Sequence, residues 1–344
     1  MRDNTRPRMG PFLLGETWVS ELQKFVFEGL PVRGALVRLD DAWQAMLAAR
    51  AQTGAHPPAV AAMLGELSAA AVLMQSNIKF NGALILQISG AGPVPLAVAE
   101  VQGDFRCRAT AKVRAEVADD ARLPELVNVD GQGRCAITLD PKDRQPGQQA
   151  YQGVVPLSDE QGRPFEGIGA ALEYYMRQSE QLDTCLVLAA DDAVAAGLLI
   201  QRMPLTGEAN LAGQSAVTAE ADRQGGSEDF ERIATLARSL TAAELLSLDS
   251  ETLLHRLFWD EPLARMVPST GQVQPRFACT CSRERVAAML RNLGQAEVDD
   301  ILAEQGQVAV DCDFCGAHFG FDAVDAAALF VVDGALGDSG DAAH

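Results

Sequence analysis

The spacing of apolar positions changes several times along the chain, and each change marks an element. Residues 17–40 read as a short helix, a turn at Gly29–Gly34 and a strand through Leu36–Leu39. Asp40 or Asp41 can cap a helix through Arg50, and Pro57–Pro58 restart the chain into an apolar helix over 59–78. Asn81–Gly82 opens a strand, Ala83–Ser89. From there to about 157, short strands alternate with turn signals at Gly90–Pro93, Gly103–Asp104, Asp130–Gly131 and Pro146–Gly147. A helix from Gly167 to Gln178 carries Ile168, Leu172 and Tyr175 at helical spacing, and strands over Thr184–Ala189 and Ala195–Arg202 follow. Residues 1–203 therefore predict an α+β domain with a mostly antiparallel sheet and helices.

The pattern breaks after Pro204. Residues 204–226 are Gly, Ala, Gln, Ser and acidic, without periodicity, and predict a flexible linker. Helical signal resumes at Ser227, where Phe230, Ile233, Ala234 and Ala237 share a face. Thr241 and Glu244 fit a capping box before Leu245–Leu246. Leu253, Leu254, Leu257 and Phe258 form a second stripe that stops near Pro262. This helical middle segment, 227–270, is too thin to make a core and must pack on a neighbour. A small third unit covers 271–330, and 331–344 is an Ala-rich acidic tail.

At 344 residues the chain is longer than one core usually needs, in line with that division. Its net charge of −19 opposes nucleic acid and anionic membranes as partners. Met1–Gly15 lacks an apolar run of signal-peptide type. The apolar stretch Ala59–Met74 is interrupted by Gly65, Glu66 and Ser68 and falls short of the roughly 20 residues of a membrane span. A buried helix and a cytoplasmic location are expected. None of the four lysines follows a glycine, so there is no Walker A loop for a nucleotide. Gly131–Ala136 superficially fits a dinucleotide fingerprint but precedes a strand-like run, so it reads as a hairpin turn. Four histidines leave little scope for a His-based active site, and Trp43 and Trp259 are expected in the core.

The cysteines carry the chemistry. Cys107, Cys135 and Cys185 are isolated on strand-like runs and read as core residues. Cys279-Thr-Cys281 and Cys312-Asp-Phe-Cys315-Gly316 form two close pairs, matching the four soft ligands of a tetrahedral zinc site. His318 is an alternative to one sulfur. Ser282 can cap a helix bearing Val286, Met289, Leu290 and Leu293, ended by Gly294; a second short helix ends at Gly306. Val308 and Val310 then lead into the second pair, with Phe319 and Phe321 on a return strand. So small a unit depends on its metal, which supplies on the order of 10 kcal/mol of folding free energy. Four protein ligands leave no open position for metal catalysis. Residues 276–330 hold four arginines and no lysine against nine acidic residues, which argues against a nucleic-acid ribbon. A structural zinc and a thiol switch both remain open. In the switch, a Cys279–Cys281 or Cys312–Cys315 disulfide forms and the metal is released. Two further alternatives are a thiol–disulfide oxidoreductase using Cys312–Cys315, which would need a thioredoxin-like context that is not apparent, and a zinc-stabilised scaffold.

The blocks Cys279-Thr-Cys281-Ser-Arg-Glu-Arg-Val286 and Val310-Asp-Cys312-Asp-Phe-Cys315-Gly-Ala-His318 resemble the C-terminal zinc module of the heat shock protein 33 family. So do Val32-Arg33-Gly34, Tyr151–Val155, Tyr174–Gln181 and Ala196–Pro204, and the likeness spans about 18–330. The resemblance implies an α+β domain, a stress-sensing helical linker and a module with one Zn²⁺ per chain. It implies an ATP-independent holdase, not an enzyme, that is silent when reduced and zinc-bound. Oxidation would expose a surface for unfolded client proteins and favour a homodimer. The module is expected to support the helices around 227–262. Their stripes, Phe230, Ile233, Leu236, Leu240, Leu253, Leu254, Leu257 and Phe258, are then the candidate client-binding surface. The insert 205–226 and the tail have no clear match in the family.

Overall fold

The computed structural model describes residues 19–143, 149–203, 216–266 and 274–330. The Met1–Gly15 segment, the Pro146–Gly147 turn, residues 204–215 of the expected linker and the tail 331–344 lie outside them.

Two mostly antiparallel sheets sandwich one apolar helix. The first strands are β1 (Glu21–Phe27) and β2 (Val32–Leu39), followed by α1 (Asp41–Ala51) and α2 (Pro58–Asn77). Then come β3 (Gly82–Ser89), β4 (Leu96–Gln102), β5 (Arg106–Lys112), α3 (Leu123–Val127), β6 (Arg134–Pro141) and β7 (Tyr151–Pro156). α4 (Ile168–Ser179), β8 (Thr184–Ala190) and β9 (Ala195–Arg202) complete this part. The middle segment gives α5 (Ala216–Arg238), α6 (Ala242–Ser247), α7 (Ser250–Phe258) and β10 (Leu263–Met266). The last part gives β11 (Arg276–Phe277), α8 (Arg283–Leu293), α9 (Gln295–Gln305), β12 (Val308–Asp311), β13 (His318–Phe321) and α10 (Ala323–Leu329).

The five-stranded sheet runs β10-β1-β2-β9-β8 and the six-stranded sheet β11-β5-β4-β3-β6-β7. α2 packs on strands of both, with Val60, Leu67, Val72 and Leu73 fully buried. By length and composition α2 could cross a membrane, yet most of its surface is covered by protein, which makes it a core helix. Cys107, Cys135 and Trp43 join this core as expected. The opposite face of the five-stranded sheet holds a second core: Phe25, Phe27, Val32, Leu36, Leu198 and Ile200 meet Phe230, Ile233, Leu240, Leu253, Leu254, Leu257 and Phe258. Cys185 is buried there too.

Four expectations change. The helix expected near residue 17–28 is strand β1, because Leu22 faces one core while Phe25 and Phe27 face the other. A strand buried on both faces loses its clean alternation and imitates helical spacing. The expected linker is already helical from Ala216, ahead of Ser227. Trp259 is 73% exposed, since α7 ends at Phe258 and turns its apolar stripe, not its last turn, to the sheet. The Gly131 turn joins α3 to β6, so it is no hairpin between strands. The capping box is present as expected: Thr241 Oγ1 accepts from Glu244 N–H at 3.3 Å while Glu244 Oε2 accepts from Thr241 N–H at 3.0 Å.

The supporting surface for the middle helices also differs from expectation. They rest on the sheet formed by β1, β2, β8 and β9, and the small unit after residue 276 has its own separate core. That core consists of Ala287, Leu290, Val298, Val308, Phe321 and Ala326.

Ile233→Ala should destabilise the protein by about 2–5 kcal/mol in urea unfolding, with zinc content unchanged because the two cores do not share residues. Glu66 on α2 faces a cavity of about 330 Å³ with Asp119, Asp120, Arg122 and Glu166, and burial pushes its carboxyl up from 4.5 to about 7. The folded state therefore binds the extra proton, and this contribution is present below pH 4.5 and lost as pH rises through 7. Glu66→Gln should remove that loss and stabilise the protein at pH 8 by roughly 3 kcal/mol, measured by urea unfolding across pH.

Candidate metal centre

The C-terminal unit is built as its spacing predicts. Ser282 Oγ accepts from Arg285 N–H at 3.3 Å and starts α8, Gly294 separates α8 from α9, and Gly306 closes α9 in the left-handed region with φ of 76°. β12 and β13 pair from Val308↔Phe321 to Asp311↔His318 and flank the second cysteine pair. Within that pair the chain turns back tightly. Gly316 N–H donates to Cys312 O at 2.8 Å and Cys312 N–H to Ala317 O at 2.9 Å. Gly316 has φ of 69°, a backbone that glycine adopts without strain.

These turns bring the four sulfurs together. The Sγ atoms of Cys279, Cys281, Cys312 and Cys315 all lie within 4.8 Å of one another, with Cys279–Cys312 at 3.6 Å and Cys281–Cys315 at 3.4 Å. Zinc–sulfur bonds near 2.3 Å at tetrahedral angles set neighbouring sulfurs about 3.8 Å apart. The donor set therefore fits zinc, and the four thiols are unbridged. His318 is not in the group; its Nδ1 lies 2.7 Å from Asp311 Oδ1.

The unit docks on the six-stranded sheet. β11 pairs in parallel with β5, Arg276 opposite Arg106 and Phe277 opposite Cys107, and Ala278 N–H donates to Cys107 O at 3.2 Å. This ladder delivers Cys279 beside β5. Arg108 then reaches over: its guanidinium lies 4.1 Å from the centre of the Phe314 ring and donates to Cys279 Sγ at 3.8 Å. Glu100 holds the other side of Arg108 at 2.6 Å. Thr110 Oγ1 donates to Asp313 O at 2.6 Å. Neither Arg108 nor Thr110 carries a local sequence signal, because their partners lie some two hundred residues away along the chain.

The thiols differ in acidity. Burial works against the Cys279 thiolate, but hydrogen bonds from Cys281 N–H, the Cys281 and Cys315 thiols and Arg108 outweigh it and bring its pKa down to about 7. Burial and neighbouring sulfurs push Cys281 up, and burial leads the rise at Cys315. Cys107, Cys135 and Cys185 are each driven up to about 12 by burial, which makes them inert.

Fold and site together define a class: an α+β sandwich carrying a docked helical segment and a small module closed by four clustered thiols that could hold a metal ion. The model of the Hsp33 protein family matches residues 20–322. The chain is 44% identical over 314 residues to the 33 kDa chaperonin of Chromobacterium violaceum, covering 91% of this chain and 94% of that one. It is 42% identical over 313 residues to that of Neisseria meningitidis serogroup A, covering 90% and 91%. The solved structure of the Thermotoga maritima 33 kDa chaperonin shares the fold, with a TM-score of 0.66 at 20% identity over 90% of this chain and 97% of that one. The chain belongs to the Hsp33 family.

In reduced, zinc-loaded protein at pH 7, Arg108→Gln should lose zinc to a chelator several-fold faster than the parent chain, as read by a free-zinc dye, because it removes the donor to Cys279 Sγ.

Proposed function

We propose that this chain is a redox-regulated, ATP-independent holdase of the cytoplasm. It is held silent by the reduced four-thiol centre and is activated when those thiols are oxidised. The grouping of four sulfurs within bonding range of a single ion, in a member of the Hsp33 family, carries this reading. When bound, one Zn²⁺ would hold Cys279, Cys281, Cys312 and Cys315 as thiolates and stabilise the small module by on the order of 10 kcal/mol. Two thiols and one peroxide give one disulfide and two waters, so two peroxides convert the four ligands into Cys279–Cys281 and Cys312–Cys315. With the ligand set gone, a core of six buried residues is left to hold the module.

The path to the client surface runs through the chain that joins module and helices. Loss of the module frees β11 from β5, and β10, a four-residue edge strand on β1, is next in line. α7 lies just before β10 in the chain and would be released next, together with the salt bridge from Arg232 on α5 to Glu261. As α5–α7 lift, both sides of their contact become available: Phe230, Ile233, Leu236, Leu240, Leu253, Leu254, Leu257 and Phe258 on the helices, and Phe25, Phe27, Val32 and Leu198 on the sheet. Such a surface takes unfolding proteins without turnover, and its self-association accounts for a homodimer on oxidation.

Two measurements test the reading. After peroxide treatment, zinc release should accompany suppression of light scattering by an unfolding client, and hydrogen exchange should rise at 276–278, then 263–266, then 230–258. Unchanged protection at 230–258 in the active form would reject the helices as the client surface. Disulfide mapping tests the order of events. The closest sulfurs in the folded module are Cys279–Cys312 and Cys281–Cys315, whereas short loop closure favours Cys279–Cys281 and Cys312–Cys315 once the module has opened. The second pairing is expected; the first would mean that the module stays folded while it is oxidised.

A further inference from the structure

A cavity of about 120 Å³ lies between α2, α4 and strands of both sheets, away from the cysteine centre. Met74, Leu84, Ile137 and Leu199 supply apolar wall, and Arg33 projects into the same space. Arg33 is half-buried, and its Nε and Nη2 both donate to Gln201 Oε1. Gln201 is itself buried, and its amide donates to Thr184 Oγ1 at 3.0 Å, so the guanidinium is held in one orientation.

What Arg33 lacks is an acid. Among the described residues no carboxylate lies within ion-pair distance of it, whereas Arg38 meets Asp40 at 3.1 Å and Arg108 meets Glu100 at 2.6 Å. Its neighbour is another cation, Lys24, whose ammonium donates to Ser76 O at 2.5 Å near the C-terminal end of α2. Burial lowers the pKa of both, and the Arg33 charge lowers Lys24 further. Glu180 lines the cavity, but its Oε1 accepts from Tyr175 Oη at 2.7 Å and Tyr151 Oη at 3.4 Å. Asn77, also on the wall, has a buried side-chain oxygen without a partner. In a chain with 47 acidic and 28 basic residues, two adjacent, partly buried cations without an acid are an unfilled electrostatic demand.

We propose that this cavity binds a small aliphatic monocarboxylate, with the carboxylate on Arg33 and the hydrocarbon among Met74, Leu84, Ile137 and Leu199. The planar guanidinium fork suits a carboxylate, and the apolar walls suit a hydrocarbon chain. The cavity is smaller than the roughly 150 Å³ that admits a benzene ring, so it encloses the carboxylate and the first few carbons, and the rest of the chain runs out past the partly exposed Ile78. The same size, and Glu180 on the wall, exclude nucleotides and other polyanions.

The test uses the reduced, zinc-loaded full chain and hexanoate as the probe, followed by calorimetry and by methyl NMR shifts at Met74 and Leu199. Saturable one-site binding is expected, with 1-hexanol at least about tenfold weaker, the loss of a charge-assisted contact. Arg33→Gln should weaken hexanoate by a similar factor. Ile78→Trp, on the partly exposed part of the lining, should block binding by filling the cavity while leaving the fold intact by circular dichroism. Hexanoate binding that survives Arg33→Gln, equals that of hexanol, survives Ile78→Trp or never saturates would overturn the proposal.

Discussion

Four sulfur atoms meet at one point in the last part of this chain, a unit with little else to hold it together. Among the described residues six buried side chains, from Ala287 to Ala326, form its core, too few to secure a unit of this size. The structure answers that constraint by closing the chain twice on one point. The Cys312–Cys315 turn and the Cys279–Cys281 segment meet there, and α8, α9 and the β12–β13 hairpin fill the interval. Stability is thus concentrated where an oxidant can reach it, because the four sulfurs are only partly covered.

The same point is also an electrostatic junction. Arg108 belongs to the sheet domain yet spends its charge on Cys279 and its face on Phe314, with Glu100 behind it. A tetrathiolate carries more negative charge than one zinc ion cancels, so a cation from the neighbouring domain belongs there. Docking and ligand chemistry therefore depend on the same residue.

The cysteine pairs, their capping residues and the return strand were legible because every signal is local: a spacing, an Asx- or Ser-type cap, a glycine stop. The strands β3, β8 and β9 and the helix α4 were legible for the same reason. β1 was not, because burial on both faces removes the period that distinguishes strand from helix. The two sheets were not separable from one, and β10 and β11 were invisible, since four and two residues carry no period at all. What the middle helices rest on was misread for a related reason. Their stripes declare that a partner exists, and only tertiary structure says that it is the sheet of Phe25 and Leu198. Arg33 drew notice only as part of a family motif, because an absent counter-charge leaves no trace in a sequence.

The parallel ladder of β11 on β5 joins residues far apart in the chain: the Cys107 thiol meets the Arg276 carbonyl, 169 positions later, at 3.4 Å. On the ribosome, therefore, the outer margin of β5 must wait for most of the polypeptide to be made before its neighbour arrives, and the margin of β1 waits similarly for β10. Unpaired strand margins invite the wrong neighbour. Lys24 on β1 and Arg106, Arg108 and Lys112 on β5 place charge along both margins during that wait, a device that discourages nascent chains from pairing with one another. A protein whose relatives are chaperonins thus carries, in its own topology, a long interval in which it is itself vulnerable to misassembly.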